Sequence, residues 1–146
     1  MTILASFGNS AGTISNCFVK GNVNVNGGSY VGAITGNSSN TIQSSYTSGN
    51  INISGRSYVG GLVGTINSSV KNCFAQGVNV TASAGSAGGF ASTFGSSASY
   101  DKISIKGTVN VTGTNCVGGY VGMSNINISN LNANVTGTVK STGGYV

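Results

Sequence analysis

Ser57-Tyr58-Val59-Gly60-Gly61-Leu62-Val63-Gly64 recurs along the chain. Tyr30-Val31-Gly32-Ala33-Ile34-Thr35-Gly36 is a second copy, and Cys116-Val117-Gly118-Gly119-Tyr120-Val121-Gly122 is a third. Ala87-Gly88-Gly89-Phe90-Ala91 is a degraded copy and Gly143-Gly144-Tyr145-Val146 a cut-off one. Gly36 and Gly64 close successive copies. Their separation, roughly 28 residues, lies in the range that marks a solenoid, in which each unit buries its apolar face only against the next.

Two further segments accompany each copy. One ends just before a glycine: Cys17-Phe18-Val19-Lys20-Gly21, Ser45-Tyr46-Thr47-Ser48-Gly49, Cys73-Phe74-Ala75-Gln76-Gly77 and Ile103-Ser104-Ile105-Lys106-Gly107. The other alternates strictly: Asn22-Val23-Asn24-Val25-Asn26, Asn50-Ile51-Asn52-Ile53-Ser54 and Thr108-Val109-Asn110-Val111-Thr112, with Val78-Asn79-Val80-Thr81 one position shorter. Alternation of period 2 is a strand with one buried face. Three strands per coil, each of about five residues and joined by Gly/Ser/Asn turns, fill the interval. The expected fold is all-β: a parallel right-handed β-solenoid (β-helix) of about five coils of roughly 28 residues. It forms a single domain, 1–146, uncapped at both ends and roughly 25 Å long at the usual strand spacing. The later coils are irregular. Gly60 and Gly118, which open the second and fourth Gly-Gly motifs, stand slightly more than two periods apart, and Gly118 to Gly143 falls short of one.

The expected core columns of the alternating strand are Val23/Ile51/Val78/Val109/Val139 and Val25/Ile53/Val80/Val111. Each such side chain contributes about 1.5–3 kcal/mol on burial. Asn24, Asn52 and Asn110 face outward, either to hydrogen-bond along a ladder or simply to solvate the strand, and solvation is the expectation for any single Asn. In the Gly-Gly segment both parities are apolar, Val31/Val59/Ala87/Val117 on one and Ile34/Leu62/Phe90/Tyr120/Tyr145 on the other. Either one parity lines the core and the other meets a neighbour, or the small residues fit a narrow interior corner.

Val59-Gly60-Gly61-Leu62-Val63-Gly64 resembles the GLUG motif. Motifs of that family occur in tandem in large bacterial and some eukaryotic surface proteins, among them adhesins and the non-catalytic parts of secreted peptidases. The resemblance implies a β-solenoid spacer or an adhesive stalk, and an extracellular or cell-surface location.

Composition narrows the chemistry. Only 5% of the 146 residues are charged, against about 25% in ordinary globular proteins. Asn, Ser, Thr and Gly therefore solvate the surface. The net charge of +5 comes from Lys20, Arg56, Lys71, Lys102, Lys106 and Lys140 set against Asp101. These are scattered, without the basic stripe that nucleic acid requires. No apolar run approaches the roughly 20 residues of a membrane helix, so no membrane insertion is expected. With no His, no Glu and one Asp, neither a Ser-His-Asp or Cys-His arrangement nor a glycosidase carboxylate pair can be assembled. Zinc and calcium ligand sets are missing as well. The expectation is a non-catalytic protein with no cofactor and no metal.

Cys17 and Cys73 share a repeat position two coils apart. That is about 9.6 Å, beyond the roughly 7 Å a disulfide spans. Cys116 lies on another strand, and buried free thiols are expected. Among the Asn-x-Ser/Thr matches, Asn37 and Asn67 fall in expected turns and are the candidate glycosylation sites.

The termini suggest assembly. Ala5-Ser6-Phe7-Gly8 sits one period before Ala33-Ile34-Thr35-Gly36, and the Gly-Gly alignment makes Val146 equivalent to Phe7. The expected function is a structural solenoid that joins head to tail into an extracellular filament with itself as partner, through Ala5, Ser6, Phe7, Gly8, Gly143, Gly144, Tyr145 and Val146. The outward aromatics Phe18, Tyr46 and Phe74 are candidates for lateral contact. The alternatives are a spacer or adhesive stalk segment, with cell-surface glycans as partners, and an ice-binding protein whose Thr108, Thr112, Thr136, Thr138 and Thr142 form the face.

Overall fold

The computed structural model describes residues 2–3, 7–10, 12–143 and 145–146. These residues contain strands and no helix, stacked in four sheets. The long sheet is built from Phe18–Asn26, Tyr46–Gly55, Phe74–Ala82, Ser104–Gly113 and, in the last coil, Asn132–Thr136 with Val139–Ser141. Each strand pairs in parallel with its counterpart one coil on, as Phe18 does with Tyr46 and Tyr46 with Phe74. The chain is a parallel β-solenoid.

The strands divide differently from the expected three per coil. The first two expected segments run as one long strand through the glycine between them, and between the first two coils the pairing continues across it, Gly21 opposite Gly49. That glycine has positive φ in every coil: 91° at Gly21, 134° at Gly49, 66° at Gly77, 72° at Gly107 and 145° at Gly137. At Gly77 a side chain is excluded twice over, by φ and because a Cβ would overlap the Gly49 carbonyl of the preceding coil. The deletion read at Val78 appears here as a shift of register. Phe74 pairs with Tyr46, but four positions later Val78 pairs with Ile51 rather than Asn50. The irregularity frees the Gln76 N–H, and the buried Thr47 Oγ1 accepts it at 3.2 Å.

The Gly-Gly segment is two strands, not one. Tyr58–Gly60 pairs with Tyr30–Gly32 and Ser86–Gly88, whereas Val63–Ile66 pairs in another sheet with Thr35–Ser38 and Ala91–Phe94. Between them the chain doubles back. A Cβ on Gly64 would lie 2.9 Å from the carbonyl oxygen of Tyr58, at the start of the same motif, and one on Gly60 would overlap the Val63 carbonyl. Glycine is what allows two backbones this close. Val59, Leu62, Val63 and Phe90 are consequently all 0% exposed. The structure thus chooses the interior corner: from Val59 to Val63 and from Ala87 to Ala91 both apolar parities are covered by the chain itself.

A further set of short strands, Ile14–Ser15, Ile42–Gln43, Ser69–Lys71 and Ser99–Asp101, lies in linkers that read as turns. Ile14, Ile42 and Val70 point into the core from them. Each is followed by a non-glycine residue in the left-handed region: Asn16, Ser44, Asn72 and Lys102, with φ between 50° and 54°. Asn tolerates that conformation better than most side chains. The next residue anchors the corner: Cys17 Sγ, Ser45 Oγ and Cys73 Sγ donate to the carbonyls of Ser15, Gln43 and Lys71, at 3.4, 2.9 and 3.1 Å.

Val23, Ile51, Val78 and Val109 form the expected buried column. Val139 does not join it. It pairs with Val111 and is 40% exposed. The fourth strand carries an added residue at Gly107-Thr108: Gln76 pairs with Lys106, but Val78 pairs with Val109. The last coil follows the fourth at a constant interval, which sets Val139 against Val111 rather than Val109. Among the described residues pairing is parallel except at Thr2–Ile3, which lies antiparallel along Val19 and Lys20.

Candidate functional site

The outer face of the long sheet carries one continuous chemical feature. Asn52 Nδ2 donates to Asn24 Oδ1 at 2.9 Å. Asn79 Nδ2 donates to Asn52 Oδ1 at 2.9 Å and to Asn50 Oδ1 at 3.0 Å. Asn110 Nδ2 donates to Asn79 Oδ1 at 2.8 Å. Thr138 closes the series, its N–H and Oγ1 both donating to Asn110 Oδ1 at 3.1 Å. The Asn side chains therefore form a ladder rather than only solvating the strand, and Asn50 and Asn79 belong to it with the three residues singled out from sequence. Every bond points the same way, each coil donating to the one before it, so the solenoid has a polarity along its axis. Amides linked in one direction polarise one another.

Beside the ladder, Phe18, Tyr46 and Phe74 face outward as expected. Their rings stack, with centroids 5.5 Å apart for Phe18 and Tyr46 and 4.6 Å for Tyr46 and Phe74. Lys20 Nζ lies 4.9 Å from the Phe18 centroid and Lys106 Nζ 4.9 Å from that of Phe74. The ring faces are thus spent on one another and on ammonium groups, which leaves the ring edges toward solvent. Tyr30 and Tyr58, at equivalent positions in their copies of the motif, form a second outer stack at 5.0 Å.

The residues proposed for assembly are not gathered as expected. Ala5, Ser6 and Gly144 lie outside the described residues. Phe7 and Gly8 belong to the strand Phe7–Ser10, and Phe7 pairs with Thr35, one period on as anticipated. The other terminus has a different phase. Val117 N donates to Tyr145 O at 2.9 Å, just as Ala87 N donates to Cys116 O at 3.0 Å. Tyr145 therefore takes the place of Cys116, not of Tyr120, and Val146 that of Val117, not of Phe7. The main-chain ladder sets Tyr145 one full coil beyond Cys116, and the shorter interval suggested by Gly143-Gly144 would break it. Tyr145 and Val146 are 81% and 78% exposed, and Gly143 packs beside the Thr114 carbonyl.

Asn37 lies within the strand Thr35–Ser38 instead of a turn, and Asn67 Nδ2 donates to its Oδ1 at 3.4 Å. Asn67 is exposed just beyond the strand Val63–Ile66. Cys17, Cys73 and Cys116 are free thiols. Burial pushes the Cys73 thiol from the ordinary 9.0 to about 11, against smaller opposing contributions from hydrogen bonds with the Ser45 and Lys71 backbone. No group of three His, Cys, Asp or Glu side chains comes together among the described residues.

Residues 55–81 match the family model of the GLUG motif. The matched stretch takes in Tyr58–Gly60, the return strand Val63–Ile66 and most of Phe74–Ala82, so it spans nearly one coil. No curated protein and no solved structure matches the chain. A β-solenoid with a GLUG motif fits a structural, surface-type repeat protein.

Proposed function

We propose that this chain is a non-catalytic structural solenoid of the cell surface or extracellular space that stacks end to end with copies of itself. The observation that carries this reading is the exposed face of the last coil. Asn132–Thr136 and Val139–Ser141 are the outermost strands of the long sheet and nearly all of their residues are exposed, with Val135 and Val139 each at 40%. Among the described residues no strand lies along the outer edge of Asn132–Thr136, and a parallel edge with apolar side chains beside it is a template for another strand. Phe18–Asn26 bears the ladder residue Asn24 and, among the described residues, pairs with Tyr46–Gly55 and, at Val19 and Lys20, with Thr2–Ile3. The one-way amide ladder favours joining the first coil of one molecule to the last coil of another, which continues the polarity; like-to-like contact would reverse it. The surface setting is drawn from the proteins in which GLUG motifs occur.

Replacing Val135 and Val139 together by Lys tests the contact. Association is expected to be lost while the melting transition of the monomer stays in place, because both side chains are already exposed. Association unchanged by both charges would remove the last coil from the interface.

A spacer or adhesive stalk is the second reading, favoured by the same coil-on-coil pairing, with the next coil then belonging to the same polypeptide. Ice binding has less support. Thr108 pairs with Thr136, but Thr112 pairs with Lys140, so the threonines do not form an unbroken array.

A further inference from the structure

The corner sheet opens between the fourth and fifth coils. In the earlier coils the residue at the left-handed corner donates its N–H to the next coil: Asn16 to Gln43 O at 3.2 Å, Ser44 to Lys71 O at 3.0 Å and Asn72 to Asp101 O at 2.9 Å. The next bond of the series would run from Lys102 to Ser129 O. Instead the Tyr100 hydroxyl takes both main-chain groups of Ser129, donating to its carbonyl at 2.7 Å and accepting from its N–H at 2.6 Å. Residue 129 is thereby held at the length of a tyrosine side chain. The gap is a cleft of about 310 Å³ lined by Tyr100, Asp101, Lys102, Ile103, Ser129 and Asn130.

We infer that this cleft binds a neutral, hydroxyl-rich ligand, a saccharide unit. Asp101 is the chain's one carboxylate, and it is exposed at the rim with Lys102 and Asn130. The side chains of these three make no hydrogen bond or ion pair with other described residues. A carboxylate accepts from two hydroxyls at once, whereas the amide and the ammonium supply donors. Ile103 and the ring of Tyr100 give the cleft its apolar part, and Tyr100 is steadied by stacking on Phe94 at 5.7 Å. Elsewhere the chain's net charge of +5 would attract anions, but at this rim the Asp101 carboxylate and the Lys102 ammonium offset each other, which suits a neutral ligand. The site is independent of end-to-end stacking, since neither the edge of Asn132–Thr136 nor Val139–Ser141 contributes to it.

The test is a titration of the isotopically labelled chain with the methyl glycosides of mannose, galactose, glucose and N-acetylglucosamine, followed through backbone amide shifts. Saturable shifts confined to Asp101, Lys102, Ser129 and Asn130 are expected for at least one of them, in the roughly millimolar range of a site with few contacts. Asp101→Asn and Asn130→Ala, both at exposed positions, should each weaken binding about tenfold with an unchanged amide spectrum elsewhere. No saturable shift with any of the four glycosides would overturn the inference. So would shifts centred on the long sheet, or binding strengthened by Asp101→Asn.

Discussion

Asn79 Nδ2 reaches Asn52 Oδ1 at 2.9 Å across a coil boundary, and Asn110 Nδ2 reaches Asn79 Oδ1 in turn at 2.8 Å. A residue that both donates and accepts in the middle of the ladder couples three coils. Replacing Asn79 by Ala removes these bonds and the one to Asn50, and should destabilise the fold by about 1–2 kcal/mol, since each exposed bond is worth the lower part of the usual range. Asn79→Asp should cost at least as much, because the donors become acceptors facing acceptors. Asn22, exposed on the same sheet, should tolerate Ala within about 0.5 kcal/mol. Urea denaturation of the variants measures this, and equal midpoints for the Asn79 and Asn22 variants would deny the ladder a stabilising role.

Glycines of the double-back differ from glycines of open turns. A Cβ on Gly88 would overlap the Ala91 carbonyl and lie 2.8 Å from Gly122 N, whereas one on Gly28 meets nothing within 4 Å. Gly88→Ala is expected to cost about 3 kcal/mol through backbone displacement, and Gly28→Ala to be neutral or stabilising by about 0.4–1 kcal/mol through the unfolded chain. Thermal melts of the two variants, run side by side, should move apart accordingly.

Cys73 makes stability depend on pH in the alkaline range. Its folded value, about 11, lies above the ordinary 9.0 because the thiolate would be buried. Below pH 9 the thiol is neutral in both states and the contribution is fully present. Between the two values the unfolded chain releases the proton and the folded chain keeps it, so stability falls as pH rises, by about 2–3 kcal/mol in all. Cys73→Ala should flatten that slope. In the folded protein at neutral pH, Cys73 should also react with a maleimide far more slowly than in urea.

The aromatic column tests lateral contact separately from folding. Tyr46 stacks on both neighbours, so Tyr46→Ala should cost about 1–3 kcal/mol. Replacing Phe18 and Phe74 by Ser leaves the Tyr46 ring edge in place but removes the rings to either side. If the column joins solenoids laterally, light scattering of that variant should fall at a given protein concentration, and scattering equal to the unmodified chain would assign the column to stability alone.

Alternation made the core legible. Val23, Ile51, Val78 and Val109 could be placed because period 2 in a strand leaves little choice of face. The Gly-Gly motif announced the repeat but concealed its shape. Val59 and Leu62 have opposite parity and both are buried, which an extended strand cannot arrange and a doubled-back one can. Tyr145 shows the opposite error: similarity to Gly118-Gly119-Tyr120 outweighed register, although main-chain bonds between coils are what set register. The corner at Asn16, Ser44 and Asn72 had a signal, a small polar residue before each Cys or Ser, which a search for positive φ would have found. The bridge from Tyr100 to Ser129 had none, since it joins a side chain to a backbone whose displacement sequence does not encode.

End-to-end stacking is tested most directly by sedimentation velocity of the unmodified chain over a wide concentration range, with electron micrographs of the same samples. Molecules that stack through their end coils will sediment as a series of species that lengthens with concentration, and will appear as unbranched rods of constant width. A single monomeric boundary at every concentration, with no rods, would contradict it.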